Sequence, residues 1–419
     1  MSGEHGITKH HGAGTGADNR RDCGGDSVYM RMPTVDWKPM KLDELGFVGR
    51  GKSRNRPRNA AFLYNGPYPF FQTGDIKSAN FHLSEYTQTY SEDGLAQSKL
   101  WKPGTLCITI AANIAESAIL AVEGCFPDSV VGFIADPDKA DVRFIKYYMD
   151  TLKVQMQNMS RGTTQDNLSL DKLLTFDFLI PPLLVQKHIA YILSAYDDLI
   201  ENNQRRIKIL EEIARSLYRE WFVKFCFPGH EKIRMMPSEL GEIPEGWGIE
   251  PISRFGTVIT GKTPSKADMN FYSDDVMFVK TPDMHDNMFI LHTNDRLSVA
   301  GVESQPSKTL PPGSICVSCI GTIGVVSITT EGCQTNQQIN SIILGHEVSR
   351  EFLFYRLRDA KQTLENLGAN GATMGNVNKG KFEALKIASP PIDLLADYHR
   401  LAQPLFSEIL ILSLEPESV

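Results

Sequence analysis

The chain has no apolar run approaching the roughly 18–20 residues that a membrane-spanning helix needs. Its first residues also lack the apolar stretch and small-residue cleavage site of a secretory leader. A soluble, cytoplasmic protein without a membrane partner is expected. Cysteine is sparse and odd in number, 7 scattered over 419 residues, which is a reduced intracellular pattern rather than a disulfide framework. One close pair, Cys316 and Cys319, has the spacing of a zinc knuckle, but no second Cys or His pair completes four ligands. Both read as small apolar residues of a buried strand, and no metal is expected. Positive charge is not in excess either, since 43 Lys and Arg stand against 50 Asp and Glu for a net charge of −7. That excludes a surface coated in cations but not a local basic patch.

Signatures of catalysis are missing as well. No Gly-rich cofactor loop follows a strand, no Asn/Asp-Pro-Pro-Tyr/Phe motif is present to hold a flipped base, and no nucleophile–base spacing stands out. The P-loop pattern does occur literally, twice, as Gly46-x4-Gly51-Lys52-Ser53 and Gly256-x4-Gly261-Lys262-Thr263. A working P-loop follows a buried strand and opens a helix, so that its amides cradle phosphate. Leu42-Asp43-Glu44-Leu45 and Pro251-Ile252-Ser253-Arg254 are poor strands to precede one, and Pro264 removes an amide where the second helix should start. Nucleotide binding is therefore the rival reading, not the preferred one.

What the chain does have is an internal repeat, at an offset of 208 to 210 residues. Trp37 pairs with Trp247, Gly51-Lys52 with Gly261-Lys262, and Thr73 and Asp75 with Thr281 and Asp283. Pro103-Gly104 matches Pro312-Gly313, Glu123-Gly124-Cys125 recurs as Glu331-Gly332-Cys333, and Tyr147 pairs with Tyr355. Gly162, Thr164 and Asn167 pair with Gly371, Thr373 and Asn376, and Pro181-Pro182 returns as Pro390-Pro391. The unbroken order and the small drift in offset mark two domains of one design. Each reads as mixed α/β. Strands at Leu106–Ile110 and Ser314–Ile320 follow Pro-Gly turns, helices are expected over 144–158 and 352–367, and each unit ends in a short apolar strand before the double proline.

The organisation expected is a disordered tail over 1–34, a first domain over 35–182, a spacer helix over 183–228 and a connector over 229–246. A second domain over 247–389 and a shortened distal helix over 390–419 complete it. The tail is rich in Gly, His and Asp and too poor in apolar residues to build a core. Its His5, His10 and His11 read as solvated, and Met30 or Met32 is a candidate natural start. The spacer carries the strongest periodicity in the chain: Leu193, Tyr196, Ile200, Asn203, Ile207, Leu210, Ala214, Leu217 and Trp221 alternate in spacings of three and four. That is a heptad seam, and it requires a partner helix. Asn203 is the one polar residue on the seam, where it fixes register at some cost in stability. A second stripe, Leu401, Leu405, Ile409 and Leu412, begins after the second double proline but is perturbed by Pro404.

Basic residues concentrate where Arg50, Lys52, Arg54, Arg56 and Arg58 occupy every second position. In extended chain these would share one face, a row suited to phosphates, which supply affinity without sequence information. The second domain offers Lys262 and Lys266 at the matching place, with Lys280 nearby. Base edges are best read by Arg, Asn and Gln, and the candidates are Gln72, Gln165, Asn376 and Asn378. For each of these the plainer reading is a turn or surface residue.

Two related domains, each followed by a heptad helix, resemble the specificity subunit of type I restriction–modification systems over Trp37 to about Ile411. The stretch Ser238-Glu239-Leu240-Gly241-Glu242-Ile243-Pro244-Glu245-Gly246-Trp247 is similar to the family's opening of its second domain, and Gly261-Lys262-Thr263-Pro264-Ser265 to the first turn of a recognition domain. Ile320-Gly321-Thr322-Ile323-Gly324 with Asn336-Gln337 resembles the middle of such a domain, and Gly371 through Asn376 its closing loop. The resemblance implies two target recognition domains, each reading half of a split double-stranded DNA target, and helices that pair antiparallel as a spacer. It implies no catalytic residue in this chain. Two modification (methyltransferase) subunits would dock on the helices, motor-nuclease restriction subunits would cut unmodified DNA, and S-adenosylmethionine, ATP and Mg would be held by these partners. The short distal helix departs from the pattern and bears on how both modification subunits are seated. A non-nucleolytic DNA-binding scaffold is the other alternative.

Overall fold

The computed structural model describes residues 36–79, 81–160, 168–346, 348–369 and 375–414. It divides into two compact units between Tyr191 and Ile192. The expected tail, together with Gln165 and the residues 371–374 of the second closing loop, lies outside the described residues.

In chain order the first unit has β1 (Lys38–Met40), β2 (Gly46–Arg50), β3 (Tyr64–Phe70), α1 (Thr73–Ser78), β4 (His82–Leu83), β5 (Gln88–Tyr90), α2 (Glu92–Ala96), β6 (Leu106–Thr109), β7 (Ser117–Leu120), β8 (Val130–Ala135), α3 (Val142–Ser160), α4 (Leu170–Leu173) and β9 (Phe178–Ile180). A five-stranded sheet has the order β2-β8-β6-β7-β4, while β3 pairs with β5, and β1 pairs with β9 to close the domain. The central strands are continuous apolar runs because both faces are covered. Leu106, Ile108, Val131 and Phe133 pack on Phe144, Ile145, Met149 and Met156 of α3. The alternate residues Cys107 and Val130 face Phe71, Trp101 and Phe126, as the period of two in a strand requires.

α5 (Leu183–Tyr218) starts in this unit and continues in the next, where a π-helical turn extends it to Val223. The second unit then has β10 (Met235–Ser238), β11 (Gly241–Pro244), β12 (Gly248–Pro251), β13 (Gly256–Thr260), β14 (Tyr272–Val279), α6 (Thr281–Met284), β15 (Phe289–Ile290), β16 (Asp295–Leu297), α7 (Val299–Glu303), β17 (Ile315–Ser318), β18 (Val326–Thr329), β19 (Cys333–Thr335), β20 (Ile339–Leu344), α8 (Arg350–Asp359), α9 (Lys361–Gly368), α10 (Lys379–Glu383), β21 (Lys386–Ser389) and α11 (Ile392–Leu414). Its five-stranded sheet, β13-β20-β17-β18-β15, repeats the first, and β12–β21 repeats the closing pair β1–β9. The Pro-Gly turns that lead into β6 and β17 hold Gly104 at φ 84° and Gly313 at φ 82°. There a proline followed by glycine gives the left-handed second corner of a type II turn.

The connector over 229–246 contains a hairpin, β10 with β11, registered Met235↔Pro244. Two expectations are corrected. The helix expected over 352–367 is two helices broken at Ala360, and Gly324, whose Cβ would lie 3.1 Å from the Lys361 Cα, lets a neighbouring loop press on the break. Pro404 does not disturb α11, which runs unbroken through it. The residue is exposed, so the backbone carbonyl that loses its helical donor faces water.

Candidate nucleic-acid interface

In the basic segment only Arg50 belongs to a strand, because ladder pairing of β2 stops there. The chain from 51 to 60 is loop, not the extended strand expected. Exposure still alternates: Lys52, Arg54, Arg56 and Arg58 are exposed while Gly51 and Ser53 are buried. Several of the cations are nevertheless engaged. Arg58 makes a two-pronged contact with Asp128, at 3.0 and 2.8 Å, and Arg50 Nε donates to the Asp128 carbonyl at 3.1 Å. Arg56 Nη1 turns back to donate to the carbonyls of Ser53 and Asn55, at 2.7 and 2.8 Å. Among the described residues the Lys52 and Arg54 side chains have no hydrogen-bond acceptor. Lys99 joins this surface, its Nζ 3.5 Å from the Trp101 ring centroid. Burial and then the nearby charge of Lys52 hold its pKa below the ordinary lysine value.

The two P-loop-like glycines have a different explanation. The amides of Gly51 and Lys52 donate to the carbonyls of Val130 and Phe126, at 2.8 and 3.1 Å, and those of Gly261 and Lys262 to Ile339 and Thr335, at 3.1 and 2.9 Å. A nucleotide would need those amides free. The lysine is instead followed by loop in both copies. Each glycine is there because the loop presses on its neighbour. A Cβ on Gly51 would lie 2.3 Å from the Phe126 and Pro127 carbonyls, and one on Gly261 would lie 2.1 Å from that of Asn336. The same close approach in both domains produces the same Gly-Lys.

Of the remaining candidates, Gln72 stands immediately before α1, its Nε2 donating to Gln88 Oε1 at 2.8 Å. Lys280 stands immediately before α6, ion-paired with Asp295. Lys262 and Lys266 are exposed in the loop after β13. Asn376 is exposed and bridges to Ile320. Asn378 caps α10, its Oδ1 accepting from the Lys381 amide at 3.0 Å. Gln88 and Asp295 were not among the sequence candidates.

Half of the helical seam has a partner in the second unit. Ile207, Leu210, Ala214, Leu217 and Trp221 pack in one core with Leu395, Tyr398, Ala402, Phe406 and Ile409 of α11. The Trp221–Tyr398 ring contact and the Arg206–Glu408 ion pair show that the two helices run antiparallel. Leu401 is exposed and Leu405 half-buried, so the buried stripe of α11 runs through Tyr398, Ala402 and Phe406 before reaching Ile409 and Leu412 of the expected stripe. Asn203 is buried, Ile200 is half-buried, and Leu193 and Tyr196 are exposed. Cys316 and Cys319 are buried at β17, and burial pushes their thiols up to about 12 and about 11.

The fold is thus a duplicated mixed α/β domain carried on a long helix, with a cation-bearing loop at the same place in each copy. The chain belongs to the type I restriction modification DNA specificity domain family, whose model matches residues 34–212 and again 244–394. It is similar to the type I restriction enzyme HindI specificity subunit of Haemophilus influenzae, at 29% identity over 91% of this chain and 95% of that one. It is also similar to the MjaIX specificity subunit of Methanocaldococcus jannaschii, at 24% identity over 90% of this chain and 88% of its relative. Among solved structures, the type I restriction–modification S subunit from M. genitalium shares the fold. The TM-score is 0.65 at 13% identity, covering 92% of this chain and 93% of that one.

Proposed function

We propose that this chain is the DNA-reading, non-catalytic specificity subunit of a type I restriction–modification complex, each domain reading one half of a bipartite duplex target. The observation that carries this reading is the duplication: two matches to the DNA specificity domain model in one chain. Exposed Lys52 and Arg54 in one domain, and Lys262 and Lys266 in the other, supply phosphate contacts at corresponding places. The paired helices α5 and α11 are the docking site for modification subunits, two to the complex, with restriction subunits joining them. S-adenosylmethionine, ATP and Mg belong to those partners, and the assembly works in the cytoplasm. Co-expression with a type I modification (methyltransferase) subunit from the same host tests the reading. A stable complex that methylates adenines within one two-part motif is expected. A chain that forms no such complex, or methylation without a motif, would overturn it.

A further inference from the structure

One polar pair occupies the same point in both domains and is filled with different chemistry. In the first, Gln72 before α1 donates to Gln88 on β5; in the second, Lys280 before α6 is paired with Asp295 on β16. The surrounding backbone fixes the equivalence. The Gln72 amide donates to the Asp75 carboxylate at 2.7 Å, and the Lys280 amide to that of Asp283 at 2.8 Å. Gln88 stands opposite Phe70 and Asp295 opposite Phe278, and both ladders carry a register shift, between Tyr64 and Tyr68 and between Tyr272 and Val276. The framework is therefore the same down to its irregularity, and the pair is what differs.

Both pairs reach solvent, with Gln88 exposed, Gln72 intermediate, and the Lys280 and Asp295 side chains 29% and 37% accessible. So placed, they add little to folding. Gln88 opens on a cleft of about 380 Å³ walled by Tyr64 and Tyr86, with Asn65 held at φ 64° on its edge. Each pair is also tied to a phosphate-binding candidate by one loop. In the first domain Lys52 bonds to Phe126 and Phe71 to Cys125. In the second, Lys262 bonds to Thr335, and Asn336 to Val279. One loop thus links the backbone of the cation in each domain to the backbone of the residue before the pair.

We propose that Gln72 with Gln88, and Lys280 with Asp295, are the base-reading residues of the two domains. This rests on the DNA-reading function proposed above. A glutamine side chain carries the donor and acceptor that match the N7 and N6 edge of adenine. A lysine donates to guanine N7 and O6, and an aspartate accepts from cytosine N4. The first domain therefore selects an A·T pair at one position of its half-site, and the second a G·C pair. Each contact discriminates by roughly 5- to 150-fold.

The test uses the complete complex with its methyltransferase subunits and a random-sequence duplex library as probe. Wild type selects a two-part motif. Gln72→Lys with Gln88→Asp is expected to shift one position of the first half from A·T to G·C by that factor and to leave the second half intact. Lys280→Gln with Asp295→Gln should do the converse. Retention of the other half shows that the variant complex is folded. If a variant loses both halves, the shape-conserving Gln88→Glu and Asp295→Asn decide by the same readout. Variants that select the wild-type motif unchanged overturn the assignment. A wild-type complex that selects no motif sinks the DNA-reading function itself, a different and separable failure.

Discussion

Arg58 and Lys52 differ in what they already hold. Arg58 is committed to Asp128 by two hydrogen bonds, whereas Lys52 and Arg54 are exposed. Removing one cation from a DNA phosphate should lower the slope of log K against log salt by about 0.9. Lys52→Ala with Arg54→Ala should therefore flatten the salt dependence of duplex binding by about two units, and Arg58→Ala by much less, as a salt titration of the complex would show. A flattening of about 0.9 by Arg58→Ala would mean that Arg58 releases Asp128 on binding. The repeated glycines make a separate claim. Because a Cβ on Gly51 or Gly261 would collide with backbone carbonyls, Gly51→Ala and Gly261→Ala should each cost about 1–3 kcal/mol. Gly74→Ala, whose Cβ meets nothing within 4 Å, should not. Thermal unfolding separates these outcomes. The buried thiols add a pH effect. Burial raises Cys316 and Cys319 from 9.0 to about 12 and about 11, so unfolded thiols ionise first as pH rises. Stability is full below about pH 9 and falls through that window. At pH 8 peptide mapping after iodoacetamide should find exposed Cys226 modified and Cys316 and Cys319 untouched.

Between elements, the contact of α5 with α11 is held by packing rather than by charge. Trp221, at the end of α5, is buried and meets Tyr398 of α11 with ring centroids 5.8 Å apart. Trp221→Ala should cost about 3–5 kcal/mol. Arg206→Ala, which breaks a half-exposed ion pair with Glu408, should cost about 0–1 kcal/mol. Denaturant melts of the two variants check the contrast, and a larger destabilisation by Arg206→Ala would mean that charge holds the helices. This element also shows what was legible in the sequence. The α5 stripe was readable because a seam of three- and four-residue steps has few other physical causes. In α11, Leu401 and Leu405 fit the same period as the true stripe, and only packing against Trp221 tells the two apart. The β10–β11 hairpin left no trace because β10 is almost wholly exposed and β11 buries the adjacent Ile243 and Pro244 instead of alternating. Gln88 and Asp295 escaped for another reason. They meet Gln72 and Lys280 only through sheet pairing, and their offset of 207 residues falls just outside the repeat's main register.

For the whole molecule, duplication has a consequence that neither domain has alone. Each unit closes on its own strand pair, β1 with β9 and β12 with β21, and each sheet is covered by helices of its own unit, α3 in the first and α8 in the second. Each core is therefore complete without residues from the other repeat, and the reading surfaces are separable modules. Exchanging residues 35–182 for the first domain of another family member keeps α5 and its seam with α11, so assembly with the methyltransferase subunits should persist. The methylated motif should then change in one half only, to the donor's half-site, while the other half and the spacing between them stay fixed because the helices are unchanged. Mapping methylated adenines in a host that expresses the hybrid gives the answer directly. A change in both halves would mean that one domain's reading depends on the other. No change in either would mean that no base is read within residues 35–182, and that the pair before α1 serves another purpose.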